Sequence, residues 1–232
     1  MDNYSVAVDV GGTFTDVVLC NLDTNQQSVF KTPSTPDDPS AGFLTGLQQI
    51  LEVNGIKPAQ VKHIFHGTTI ATNAILENKG SRVGVLVPEG FKYVLEIGRH
   101  GTPRVVNPNS WIKPERPVRP RDIEEIPERV SSDGEILIPL DETAVRRAAR
   151  RFRDEGILSI AVSFLHSYAN RDHESRAREL ILEEFPNAQV SLSSEVLAVF
   201  REYERTITTV LNAYVMPRVS TYLGHLEQAL ER

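Results

Sequence analysis

The chain has 232 residues, 40% hydrophobic and 24% charged, with 25 Lys and Arg against 31 Asp and Glu for a formal net charge of −6. That length suffices for one large or two small domains with a buried core, and the balance of apolar and charged residues excludes a disordered, collagen-like or coiled-coil chain. The acidic total argues against broad phosphate-backbone binding, so nucleic acid is not an expected partner, and the single Cys20 excludes both a disulfide framework and a Cys-rich metal site.

No basic segment followed by an apolar stretch opens the chain, and no run approaches about 18 apolar residues, so the expectation is a cytoplasmic protein with no export signal and no membrane contact. Residues 6–10, 16–20 and 28–31 are short β-branched runs separated by Gly11-Gly12 and by a polar segment. The first two are apolar enough to predict a central sheet covered on both faces. After the prolines at 33, 36 and 39, Phe43, Leu44, Leu47, Ile50 and Leu51 recur at helical spacing up to Asn54-Gly55. Strand and helix then alternate: strand 61–65, helix 69–78, strand 83–87 and short helix 91–97.

Between residues 100 and 129 periodicity disappears, and six of the 14 prolines fall there, which predicts a long loop or a domain boundary. Strand 135–138 follows, then a helix with Asp141 as its N-cap and Val145, Ala148, Ala149 and Phe152 on one face. Next come strand 159–165, helix 173–185, strand 189–192 and a long helix from about residue 200, in which Pro217 is expected to cause a kink. The organisation predicted is an α/β segment over 1–100, a Pro-rich connector over 101–130 and a second α/β segment over 131–232. The last apolar pattern runs to the end of the chain without a stop signal, as expected of the front part of a longer protein.

The segment Asp9-Val10-Gly11-Gly12-Thr13-Phe14-Thr15-Asp16 carries the sharpest chemistry. Two glycines between strands let the backbone turn tightly and present N–H groups with no Cβ in the way, as a phosphate oxygen requires. Thr13 and Thr15 add hydroxyls, and Asp9, at the end of a strand, can hold a water on Mg²⁺. The same pattern also describes a plain Gly-Gly hairpin with a capping Asp. No Gly-Lys-Ser/Thr follows, and the next element is a strand rather than a helix, which excludes a Walker loop and a Rossmann fingerprint. In 66–74, Gly67 ends a strand while Thr68 and Thr69 stand where a helix begins, a place suited to an anion or polarised carbonyl and equally to an ordinary Thr N-cap.

Together, Asp9 to Asp16, His66-Gly67-Thr68-Thr69-Ile70-Ala71-Thr72-Asn73-Ala74, and Phe200-Arg201-Glu202-Tyr203-Glu204-Arg205-Thr206 with Asn212-Ala213-Tyr214-Val215 resemble the hydantoinase A and 5-oxoprolinase family. This family lies within the actin-like ATPase superfamily, and the resemblance runs along essentially the whole chain. It implies an α/β fold with a ribonuclease H-like N-terminal sheet and a second α/β unit. It further implies the N-terminal region of a subunit that uses ATP and Mg²⁺ to phosphorylate the carbonyl of a small cyclic amide for hydrolysis. Sister enzymes carboxylate a ketone, and a non-catalytic nucleotide-sensing module is a third possibility.

Carried over by resemblance, Asp9, Thr68 and Thr69 are catalytic, Asp9 also meeting the metal through water. Gly11, Gly12, Thr13, Thr15 and Asp16 hold the nucleotide, and His66, Gly67 and Asn73 face the substrate. A second hydantoinase-type subunit and an oligomeric assembly are implied as well. The superfamily closes its nucleotide site with a second Asp-x-Gly-x-Thr loop, and no such pattern follows residue 40. The expectation is an incomplete site that binds ATP weakly or not at all in this chain alone.

Other residues carry less. His63 and His66 are three apart on a strand and point to opposite faces, unsuited to sharing a metal. The arginines at 146, 147, 150, 151 and 153 lie opposite an apolar stripe and read as a solvated face. Cys20 is expected to be a buried, inert thiol. Glu202 and Glu204 suit the start of the last helix, while the residues alone assign no role to Arg205.

Overall fold

A computed structural model describes residues 3–35, 38–99 and 116–230. The chain forms two compact units, one of residues 1–79 with 218–232 and the other of 80–217. Of the connector expected over 101–130, residues up to 115 lie outside the described residues.

In the first unit, β1 (Tyr4–Val10), β2 (Phe14–Asn21), β3 (Gln27–Pro33) and β4 (Val61–Thr68) form a sheet in the order β3-β2-β1-β4. The β1–β2 and β2–β3 pairs are antiparallel, and β4 runs parallel to β1. Helix α1 (Pro39–Asn54) lies on one face, starting where Asp38 accepts from the Ser40 N–H. Val6, Val8, Val10, Val17 and Leu19 are buried there with Phe43, Leu47, Ile50 and Leu51 of α1. A short helix, α2 (Ile70–Leu76), follows β4 and stops two residues earlier than its pattern suggests.

The expectation of a first sheet covered on both faces is corrected. Val6, Val8 and Val10 are buried while Ala7 and Asp9 between them are exposed, which is the alternation of a sheet solvated on one face. Cys20 accordingly is half-buried rather than enclosed.

The second unit holds the sheet that is covered twice. Strands β5 (Val83–Pro88), β6 (Ile123–Ile126), β9 (Ser159–Val162) and β10 (Gln189–Leu192) are all parallel, in the order β10-β9-β5-β6. One-turn helix α3 (Val94–Ile97) follows β5, and a two-stranded ribbon, β7 (Arg129–Val130) with β8 (Ile136–Ile138), follows β6. Helices α4 (Glu142–Asp154) and α5 (Asp172–Glu184) bury Val145, Ala149, Phe152, Leu180 and Ile181 on one face. The other face meets Leu95, Val210, Ala213 and Tyr214. All six residues of β5 are buried, as a parallel central strand requires. The stretch expected to be irregular contains β6, because Pro117, Pro120 and Pro127 flank residues 123–126 without interrupting them.

Helix α6 (Ser193–Val196) precedes the 29-residue α7 (Glu202–Leu230), whose residues through Pro217 belong to the second unit and those from Arg218 to the first. The arginines of α4 pair with acidic neighbours. Arg146 meets Glu183 and Glu184, Arg150 meets Glu184, and Arg176 of α5 meets Glu142 at the start of α4. These pairs all keep some solvent contact, so each contributes little to stability. No described helix is long and apolar enough to cross a membrane.

One buried pair gives a pH test. His173 Nδ1 lies 2.8 Å from Glu128 Oε2, while Glu128 Oε1 is buried with no partner among the described residues. Burial raises the Glu128 carboxyl above its ordinary value of 4.5, against the opposing hydrogen bond from His173. A carboxyl raised on folding contributes stability below its unfolded pKa and loses it as the pH rises through the folded value. The Tm of Glu128→Gln, which keeps an acceptor for His173, is therefore expected to gain on that of the parent as the pH rises above the ordinary carboxyl value of 4.5. Superimposable Tm profiles of the two chains would refute this.

Candidate functional site

The β1–β2 turn, the end of β4 and the start of α2 meet within the first unit. The register Asp9↔Asp16 and Val10↔Thr15 sorts the side chains by face. Asp9 and Asp16 share the open face of the sheet, and Val10 and Thr15 share the face under α1. Gly11 N–H donates to the Phe14 carbonyl at 3.0 Å and closes the turn. The Gly12 and Thr13 N–H groups remain on it, with no partner among the described residues.

Two glycines here sit close to neighbouring side chains. A Cβ on Gly12 would lie 3.2 Å from Asn73 Nδ2, and one on Gly67 would lie 3.1 Å from Asp9 Oδ1. The Asp9 carboxylate thus extends over a bare stretch of β4, since Gly67 is its register partner across β1 and β4. Asp16 pairs with Lys31 at 3.0 Å, and Lys31 also lies 5.2 Å from the Phe14 ring centre. The sequence reading passed over Lys31, although its place opposite Asp16 in the β2–β3 register is the signal that could have shown it.

Thr68 donates to the Val10 carbonyl at 3.4 Å and accepts from the Ile70 N–H at 3.2 Å, tying the β4–α2 corner to the turn strand. Thr69 is the N-cap residue of α2, yet its hydroxyl makes no capping bond and instead accepts from Asn73 Nδ2 at 3.1 Å. Thr68, Thr69, Asn73, Gly12, Gly67 and Asp9 are therefore brought together.

Two expected site residues point elsewhere. The Thr15 hydroxyl is fully buried, 3.0 Å from Ser34 Oγ, because its register partner is the inward Val10 rather than Asp9. His66 has both ring nitrogens engaged, Nδ1 3.3 Å from the Val8 carbonyl and Nε2 2.8 Å from the Tyr222 hydroxyl, with its ring edge-on to Phe43. These contacts hold its ring against Phe43 and Tyr222 while the residue stays exposed. Burial pushes the Tyr222 phenol up to about 12.

Among the described residues no cluster of three or more His, Cys, Asp or Glu is placed to hold a metal ion directly. What the arrangement offers is a single exposed carboxylate beside a bare backbone turn, which suits a metal held through water next to a polyphosphate.

A family model of the hydantoinase/oxoprolinase N-terminal region matches residues 5–185. The chain belongs to the hydantoinase/oxoprolinase family. This family member is 36% identical to caprolactamase subunit alpha of Pseudomonas jessenii over 98% of its own length and 33% of the relative's. It is 36% identical to the acetophenone carboxylase gamma subunit of Aromatoleum aromaticum, over 95% and 32% respectively. Against 5-oxoprolinase of Saccharomyces cerevisiae the identity is 33%, over 98% and 20%.

Two solved structures superpose on nearly the whole chain. Nucleotide-free acetone carboxylase does so with a TM-score of 0.88 at 26% identity, covering 100% of this chain and 35% of that one. ATP-dependent caprolactamase from Pseudomonas jessenii gives 0.88 at 33% identity, covering 98% and 33%. The fold is of the actin-like ATPase type, and the chain spans about a third of the length of the bacterial relatives described here.

Proposed function

We propose that this chain is the phosphate-binding front part of an ATP-dependent subunit that opens a small cyclic amide in the cytoplasm, working with a second subunit of the same enzyme class in an oligomer. The observation that carries the reading is the cradle of Gly12 and Gly67, where an added Cβ would meet Asn73 and Asp9. Residues this close leave room for a ligand's oxygens only if the backbone stays bare. The Gly12 and Thr13 N–H groups would bind phosphate oxygens. Asp9 would hold Mg²⁺ through water, and the ion when bound supplies charge neutralisation for phosphoryl transfer. Asp16, neutralised by Lys31, keeps a second negative charge from opposing the nucleotide.

In this reading the amide carbonyl oxygen takes the γ-phosphoryl group and ADP leaves. Water then adds to the activated carbon, the ring C–N bond breaks and phosphate departs. Thr68 and Thr69 orient the group that accepts the phosphoryl, with Asn73 fixing the Thr69 hydroxyl. Gly67 keeps that side of the site open. His66 acts as support beneath it rather than as a substrate contact.

A second reading, subunit of an ATP-dependent ketone carboxylase, is favoured by equal 36% identity to the acetophenone carboxylase gamma subunit. Phosphate release by the complete reading frame with its partner subunit separates them. Stimulation by hydantoin, 5-oxoproline or a larger lactam without bicarbonate is expected. Stimulation only by a ketone with bicarbonate would replace this reading with the second, and ATP turnover indifferent to all of them would point to a nucleotide-sensing module. The 232-residue chain alone is expected to bind Mg-ATP weakly, and submicromolar affinity by calorimetry would overturn the half-site view.

A further inference from the structure

The ribbon of β7 and β8 carries an exposed apolar strand. Ile136, Leu137 and Ile138, which make up β8, are 49%, 60% and 49% exposed. Side chains of a strand alternate between its two faces, so exposure of all three leaves both faces of β8 open. Among the described residues β8 pairs with β7 alone, so its other edge is unpaired as well. Sheet edges are normally blunted with charge, and three consecutive exposed apolar residues on one are a departure that an interface accounts for.

The ribbon is fixed without the help of those side chains. The Ser131 N–H donates to the Glu135 carbonyl at 2.8 Å, Ser131 Oγ accepts from the Glu135 N–H at 3.0 Å, and Asn170 Nδ2 donates to the Gly134 carbonyl at 2.9 Å. At the other end the Asp141 N–H donates to the Pro127 carbonyl at 2.9 Å, and Val130 of β7 is buried. A strand held at both ends offers its edge at little ordering cost.

Charge selects the occupant. Asp133 and Glu135 are exposed just before β8, and neither forms an ion pair among the described residues. A second copy of the chain fits poorly. Pairing two β8 strands antiparallel about Leu137 sets Asp133 against Asp141 of its mate and Glu135 against Pro139, so neither carboxylate meets a cation, and each copy brings a net charge of −6.

We propose that β8 takes up an extended segment of another polypeptide as an added antiparallel strand, with three apolar residues beside Ile138, Leu137 and Ile136 followed by lysine or arginine beside Glu135 and Asp133. The surface lies within the second unit and does not depend on the function proposed above.

The test is an NMR titration of the whole 232-residue chain with the peptide acetyl-Thr-Val-Ile-Val-Lys-Thr-Lys-amide, reading the amides of residues 135–138. Saturable shifts at β8 are expected, and the same peptide with Glu in place of both Lys should leave these amides unmoved. Joint replacement Asp133→Lys and Glu135→Lys turns two attractions into repulsions, so it should weaken the lysine peptide about tenfold and make the glutamate peptide the better ligand. Should that variant fail to fold, Leu137→Lys, on the exposed strand itself, should suppress the shifts. No saturable response at β8, an equal response to the glutamate peptide, or a preference that survives the charge swap would each overturn the proposal. A dimer of the chain that Leu137→Lys dissociates would overturn it too, by making a second copy the occupant.

Discussion

Replacing Asp9 by Ala is expected to lower ATP-driven turnover of the intact protein at least about tenfold, equivalent to about 1.4 kcal/mol in the barrier. Asp9 is exposed and makes no contact that the sheet needs, so the variant should fold as the parent does. Its carboxylate lies over Gly67 beside the bare turn, where charge neutralisation and positioning of the phosphates are the main demands of phosphoryl transfer. Asp9→Asn keeps the shape and one acceptor but not the charge, and should recover little of the loss. A phosphate-release assay at saturating Mg-ATP decides it. Turnover equal to the parent's would remove Asp9 from the mechanism, and the proposed function would then lose its metal-positioning residue.

The second large effect is structural. Phe152 is fully buried in α4, and a Cβ on Gly84 of β5 would lie 2.8 Å from two atoms of its ring. Phe152→Ala should cost about 3–5 kcal/mol through lost burial and the cavity left behind. Gly84→Ala should cost about 1–3 kcal/mol by overpacking the same spot. The two changes are expected to be strongly non-additive, because removing the ring gives the new methyl its room. Urea unfolding of the single and double variants measures this, and strictly additive costs would mean that the ring is not what Gly84 accommodates.

How far the sequence could be read depended on which interactions were local. The β1–β2 hairpin was legible because Gly11-Gly12 separates two β-branched runs, and the start of α4 because Asp141 accepts from the Ala144 N–H. The face of Thr15 was not, since the pairing across the 11–13 connection decides whether it follows Val10 inward or Asp9 outward. Nor could His66 be assigned, as its Nε2 partner Tyr222 lies 156 residues away in the chain. Double coverage was expected for the wrong sheet because Ala7 and Val18 resemble core residues in sequence, whereas the continuous Val83–Pro88 run is the one enclosed on both sides. The burial of Arg205 was hidden for the opposite reason, since an arginine at a helix start suggests solvent and only the fold shows its carbonyl acceptors.

The ion pairs between α4 and α5 act as a vernier. Glu142 meets Arg176 near the start of both helices, and Arg150 meets Glu184 near their ends. Sliding α4 by one turn would bring Arg146 to Arg176 and Asp154 to Glu184, setting like charges against each other at both ends of the seam. The apolar seam of Ala144, Val145, Ala148, Ala149, Ala177, Leu180 and Ile181 carries no charge to fix that alignment. Pairs that hold little energy in the correct alignment thereby penalise the nearest wrong one, and adding salt should blur the alignment of the two helices before it loosens their core.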